Sequence, residues 1–224
     1  MTDSENTHIT VGRAITQPEI MALVAAHTAR LRCMTRALDL ERFAATNGLS
    51  DQQAFGMFAH ALRHLAGVDI DAIRALNLAQ KRVDPVFAEQ ASRGPRLALW
   101  CAGTRTHFAV ARAGGHLIWR ERHPHAGIVR PAQAAKSAAQ HAIRVAGRAR
   151  VEWGAEAATL RLTMNRTHGV DLLALHHRAL AANLLLEPVT EQASTPAADA
   201  DGDSTLSWHG SDPATLIAVE EGLS

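Results

Sequence analysis

Residues 96–125 read RLALWCAGTRTHFAVARAGGHLIWRERHPH, and their alternation decides the fold. Leu97, Leu99 and Cys101 alternate with Ala98 and Trp100 until Gly103-Thr104-Arg105 breaks the run. Phe108 and Val110 then fall on one face, with His107, Ala109 and Ala111 on the other, before Gly114-Gly115 opens a second turn into Leu117, Ile118 and Trp119. A period of two interrupted by glycine turns predicts a three-stranded meander.

On the amino-terminal side the period changes to that of a helix. Thr16, Pro18 and Glu19 form a helix start, and Ile20, Leu23, Val24, His27, Leu31, Met34 and Leu38 follow at helical spacing. Two further helices break at Asn47-Gly48, the second opened by a capping box of Ser50 and Gln53. Asp69 or Asp71 caps a helix carrying Ile70, Ile73, Leu76 and Leu78, Pro85 ends its pattern, and Gly94-Pro95 marks a boundary. Beyond the meander, Pro131 opens an alanine-rich helix to about Gly147, residues 152–164 hold a strand, and Val170 to Leu186 reads as a closing helix. The expected class is α+β: a flexible leader (1–15), an all-α domain (16–93), an α/β domain built on the meander (96–186) and a disordered acidic tail (187–224). Leu216, Ile217 and Val219 are an apolar group near the tail's end, which in a tail this polar reads as unstructured sooner than as a short docking segment.

No apolar run approaches the ~20 residues of a membrane span, and the polar amino terminus MTDSENTHIT reads as neither signal nor transit peptide, which points to the cytoplasm. Cys33 and Cys101 fall in different regions, so no disulfide framework is expected. The net charge of +1 hides an asymmetry: residues before Glu187 carry +9 and the rest −8. Only Lys81 and Lys136 are lysines, so the positive charge is almost all guanidinium, the group suited to bidentate contact with phosphate. On that ground Arg63, Arg105, Arg112, Arg120, Arg122, Arg144, Arg148 and Arg150 are candidate DNA contacts.

Ala44, Gly48, Leu49 and Ser50 fall where a helix-turn-helix unit needs a small residue, a turn, a buried residue and a cap. The helix after them has no basic residue before Arg63, which favours an ordinary helical hairpin. His168, His176 and His177 do not share one helix face, and Ser137 and Cys33 have no base at an interpretable spacing, so no enzyme is expected.

Three stretches carry a family resemblance. They are HTARLRCMTRALDL (27–40), GMFAHALRHLAGVDIDAIRALNLAQ (56–80), and the pair Cys101-Ala102-Gly103-Thr104 and Leu117-Ile118-Trp119-Arg120-Glu121-Arg122-His123-Pro124 with His107-Phe108 between. Together they resemble the C subunit of the bacterial flagellar master activator and its relatives that switch on transfer genes of conjugative elements. The resemblance implies a DNA-binding transcriptional activator of flagellar or conjugative-transfer genes, acting on double-stranded DNA in a hetero-oligomer with a helical partner. Leu23, Leu31, Met34 and Leu38 would then form the interface, with that partner or with a second copy of the chain; the competing reading packs the stripe internally on Phe43, Phe55 and Phe58. The family's four-cysteine zinc ribbon is not kept, because Thr104, Trp119 and Arg122 stand at three of the four positions. No cofactor is therefore expected, and Cys101, His107 and His123, with His116 and His125 near them, are the weak candidates for a substitute metal set. The resemblance has no counterpart for the chain after about Pro131.

A second resemblance competes. Three strands, helix, strand, helix from Leu97 to Leu186 also resembles an RNase H-like or actin-like core, in which Cys101 stands where the first strand's metal-binding carboxylate belongs. It implies a catalytically inactive adaptor that binds protein or nucleic acid.

Overall fold

A computed structural model of the chain describes residues 15–112, 115–124, 127–128, 130–191 and 204–210. The first six helices are α1 (Gln17–Ala26), α2 (Thr28–Arg32), α3 (Ala37–Thr46), α4 (Gln52–Ala61), α5 (Ile70–Gln80) and α6 (Pro85–Arg93). A π-helical turn at Leu62–Ala66 extends α4 up to Gly67. The capping carboxylate of Glu19 accepts from the Thr16 backbone N–H at 2.8 Å and from its hydroxyl at 2.7 Å.

The single long helix expected from Ile20 to Leu38 is broken into α1, α2 and the start of α3. The break turns its apolar stripe inward: Ile20, Val24 and Leu31 are fully buried in one cluster with Phe43 and Phe58. The helix after Gly48 is capped by Asp51, whose carboxylate accepts from the Ala54 N–H at 2.8 Å, and not by Ser50. Pro85 does not end a helix but opens α6, with Asp84 as its cap.

The remainder is a five-stranded sheet, β1 (Arg96–Gly103), β2 (His107–Arg112), β3 (Leu117–Arg122), β4 (Ala158–Met164) and β5 (Leu184–Thr190), in the order β3-β2-β1-β4-β5. The meander β1–β3 is antiparallel, while β4 and β5 run parallel to β1 through α7 (Pro131–Glu152) and α8 (Leu172–Ala181). The closing helix expected over Val170 to Leu186 is therefore α8 followed by β5, and the α/β unit ends four residues later than the sequence suggests. The alanines of α7, among them Ala135, Ala138, Ala142 and Ala146, are buried, and their small side chains let the helix lie close to β1. The other sheet face is lined by Ala98, Ala102, Ala109 and Ala111, and α6 covers part of it, with the Thr159 hydroxyl donating to Ala91 O at 3.0 Å.

Helical and sheet units share one apolar cluster, so the boundary at residues 94–95 separates elements and not cores. α5 packs on α8, and Gln80 Nε2 donates to Leu186 O at 2.8 Å across the junction. The tail is not wholly detached. Leu206 pairs with Arg120 of β3 through two 2.9 Å backbone hydrogen bonds, covering part of an exposed sheet edge, and Trp208 is buried. The leader residues 1–14, and Leu216, Ile217 and Val219, lie outside the described residues. Among the described residues no helix is long and apolar enough to cross a membrane.

Candidate nucleic-acid interface

Arg144 and Arg148 stand one turn apart on α7, and Gly147 lies between them. A Cβ at Gly147 would meet the Ala182 Cβ at 3.0 Å, so the missing side chain lets α7 approach the end of α8 closely. Arg178 of α8 comes in from the far side. The result is a cavity of about 700 Å³ with Ile143, Gly147, Val151 and Ala182 on its apolar surface, Arg144, Arg148, Arg150 and Arg178 around it, and no acidic residue among the described residues that line it. Arg148 is held at 2.9 Å by Glu152. Arg150 is committed to the fold: its Nε donates to Ala182 O at 2.9 Å and its Nη1 to Ala155 O and Glu156 O.

The third wall comes from the carboxy-terminal segment. The Leu206–Arg120 pairing and a contact of the Arg120 guanidinium with Ser204 fix that segment on β3. Trp208 then sits 6.2 Å from Trp119, and the His209 ring stacks on it at 4.4 Å. Beneath lies an aromatic layer in which His141 stacks on Phe108 at 3.8 Å, with Trp119 set edge-on to both.

The other arginines read from the sequence do not join this groove. Arg63 is bound to Asp71 at 2.6 Å and to Asp69 at 3.7 Å, next to the α5 cap, so it serves the helical unit. Arg105 lies in the β1–β2 turn, Arg112 ends β2, and Arg120 and Arg122 lie on β3. Arg178, Trp208 and His209 carried no sequence signal for this site, because their proximity to Arg144 is set by the chain's return through β4, α8 and β5.

The expected interface residues also separate. Leu31 is fully buried, Leu23 and Met34 are half-buried against the core, and Leu38 alone is exposed. The stripe packs internally because α1 and α2 fold back onto α4 and the π-helical turn.

Among the described residues the metal candidates Cys101, His107, His116 and His123 are not brought together as a set, and His125 lies outside the described residues. Cys101 is buried on the α7 side of β1, where burial pushes its thiol up to about 12, whereas His107 alternates to the opposite sheet face. Trp119 is in the core and Arg122 is exposed, so the four ribbon positions do not converge. His168 pairs with Asp69 at 3.3 Å, His176 is buried in α8, and His177 is exposed. Ser137 does have a base, although the sequence offered no spacing to find it. Its Oγ lies 2.8 Å from His123 Nδ1, and His123 Nε2 lies 3.0 Å from Thr104 O. The carbonyl requires the proton on Nε2, so Nδ1 accepts from the serine hydroxyl, and burial lowers the histidine's pKa. These bonds tie the end of β3 to α7 and to the β1–β2 turn.

His141 gives a pH prediction. Burial first, then the charges of His123, Arg144 and Arg178, push its pKa down to about 4. In the unfolded chain the ring titrates near about 6.5. Between these values the unfolded state binds a proton that the folded state refuses, so stability falls as pH drops through that window and levels off below it. Allowing for solvent screening of a half-buried ring, the loss is about 2 kcal/mol. The urea midpoint should drop between about pH 7 and about pH 5, and drop less in His141→Phe. A flat wild-type midpoint over that range would contradict the assignment.

Cys101 of β1 and Met164 of β4 are register partners on neighbouring parallel strands, and both are buried. Comparison with protein-family models, with curated proteins and with solved structures finds no match for the chain.

Proposed function

We propose that the protein binds nucleic acid without turning it over, contacting phosphates through the arginines of the α7–α8 groove. The observation that carries the reading is the convergence of Arg144, Arg148 and Arg178 from two helices on one cavity, with no acidic residue among its described lining residues and Glu152 engaging only Arg148. Guanidinium groups so placed suit successive phosphates, and binding releases counterions from the polyanion. The apolar Cys101–Met164 pair supports the non-catalytic part, since the two-metal chemistry of the RNase H-like cores that residues 97–186 resemble needs a carboxylate where Cys101 stands. The resemblance of residues 19–125 to an activator subunit supports a regulatory role on DNA, at flagellar or conjugative-transfer genes.

The test is fluorescence anisotropy with labelled DNA, single-stranded and duplex, titrated over a range of salt. The reading expects steep weakening with salt, and a loss of affinity of about tenfold or more for both forms in Arg144→Glu/Arg178→Glu. Lys81→Glu, just beyond the end of α5, is the control and should change little. Unchanged affinity in the double charge reversal would remove the groove from the interface.

A further inference from the structure

We infer that the groove takes an unpaired nucleotide, and hence that the nucleic acid recognised is single-stranded. This rests on the reading above and adds to it the class of strand.

The argument comes from what the arginines surround. A surface that only follows a duplex backbone needs positive charge on an accessible face, and an apolar floor with aromatic rings beside it gains nothing from paired bases, which are already stacked inside the helix. Here the space between Arg144 and Arg178 is floored by Ile143, Gly147 and Ala182 and walled by Trp208 and His209. Its volume of about 700 Å³ is enough for a base with its sugar and phosphate. The pairing of arginines with a ring platform is what single strands require, since every base offers a flat face to stack while its phosphate remains outside.

The ring wall is built and not incidental. Trp208 is 8 % exposed and braced by Trp119, so its plane is fixed, while His209 stacks on it and stays exposed as the outer surface. The Trp208 indole N–H is buried and makes no hydrogen bond among the described residues, so the ring itself is held by packing. The segment is attached to β3 by the backbone pairing at Leu206, so a strand occupying the groove would rest against a wall anchored to the sheet.

The experiment compares a labelled oligothymidylate with a mixed-sequence duplex of equal length, using the full chain. The expected result is tighter binding of the single strand by about tenfold, with that preference lost in His209→Ala, which removes an exposed ring, and in Trp208→Ala. Quenching of tryptophan fluorescence by the single strand should disappear with Trp208→Ala while the helical circular dichroism is retained. Equal affinity for both forms, unchanged by either substitution, would overturn the inference and leave the arginine reading standing. Absence of binding to either form would overturn both. Binding of a free mononucleotide as tightly as the oligonucleotide would overturn the strand reading in favour of a small-molecule site.

Discussion

Leu31→Glu should unfold the helical unit, at a cost of about 4 kcal/mol or more. Leu31 has no solvent exposure and lies in the same cluster as Ile20, Val24, Leu40, Phe43 and Phe58. The side chains around it are apolar, so the charge must either be buried among them or force α2 off the π-helical turn. Because the cluster continues into the sheet through α5 and α8, the loss should extend beyond the first helices. Leu38→Glu is the paired measurement. Its side chain is 43 % exposed, so the same change should stay within about 0.5 kcal/mol of wild type. Circular dichroism against urea separates the two. A Leu31→Glu protein that melts like wild type but no longer self-associates would restore the stripe as an interface.

The contrast between Leu31 and Leu38 shows what was legible in the sequence. Periodicity identified the apolar positions of residues 20–38 but not the break near residues 33–36, where neither glycine nor proline marks the change of direction. The meander was legible because its signals are local: alternation of period two and glycine at the turns. β5 was not, because the leucines of residues 172–186 satisfy a helical spacing throughout, and the turn between α8 and β5 is made by Asn183 at a φ of +54° in place of a glycine. Half of the candidate groove could be read as the basic end of α7. Arg178 and Trp208 could not, since their positions depend on crossovers that bring α8 beside α7 and the carboxy-terminal segment to β3.

Gly103→Ala should cost about 3 kcal/mol, while Gly56→Ala should raise stability by about 0.5–1 kcal/mol, so the same substitution changes sign with its surroundings. Gly103 ends β1 beneath the first turn of α7, and a Cβ there would lie 2.4 Å from Ala134 O and 2.8 Å from Ala134 C. Both are backbone atoms, so no side chain can rotate away, and β1 and α7 must move apart. That separation would disturb the buried face where Cys101, Phe108 and Val110 meet Ala135 and Ala138. Gly56 lies within α4, exposed, with nothing within 4 Å of the added carbon. There the methyl group only restricts the unfolded chain and favours helix. Urea midpoints for the two variants measure the difference directly. A Gly103→Ala midpoint equal to or above that of wild type would mean that α7 does not sit against β1 as closely as the sheet register and the alanine face of the helix require.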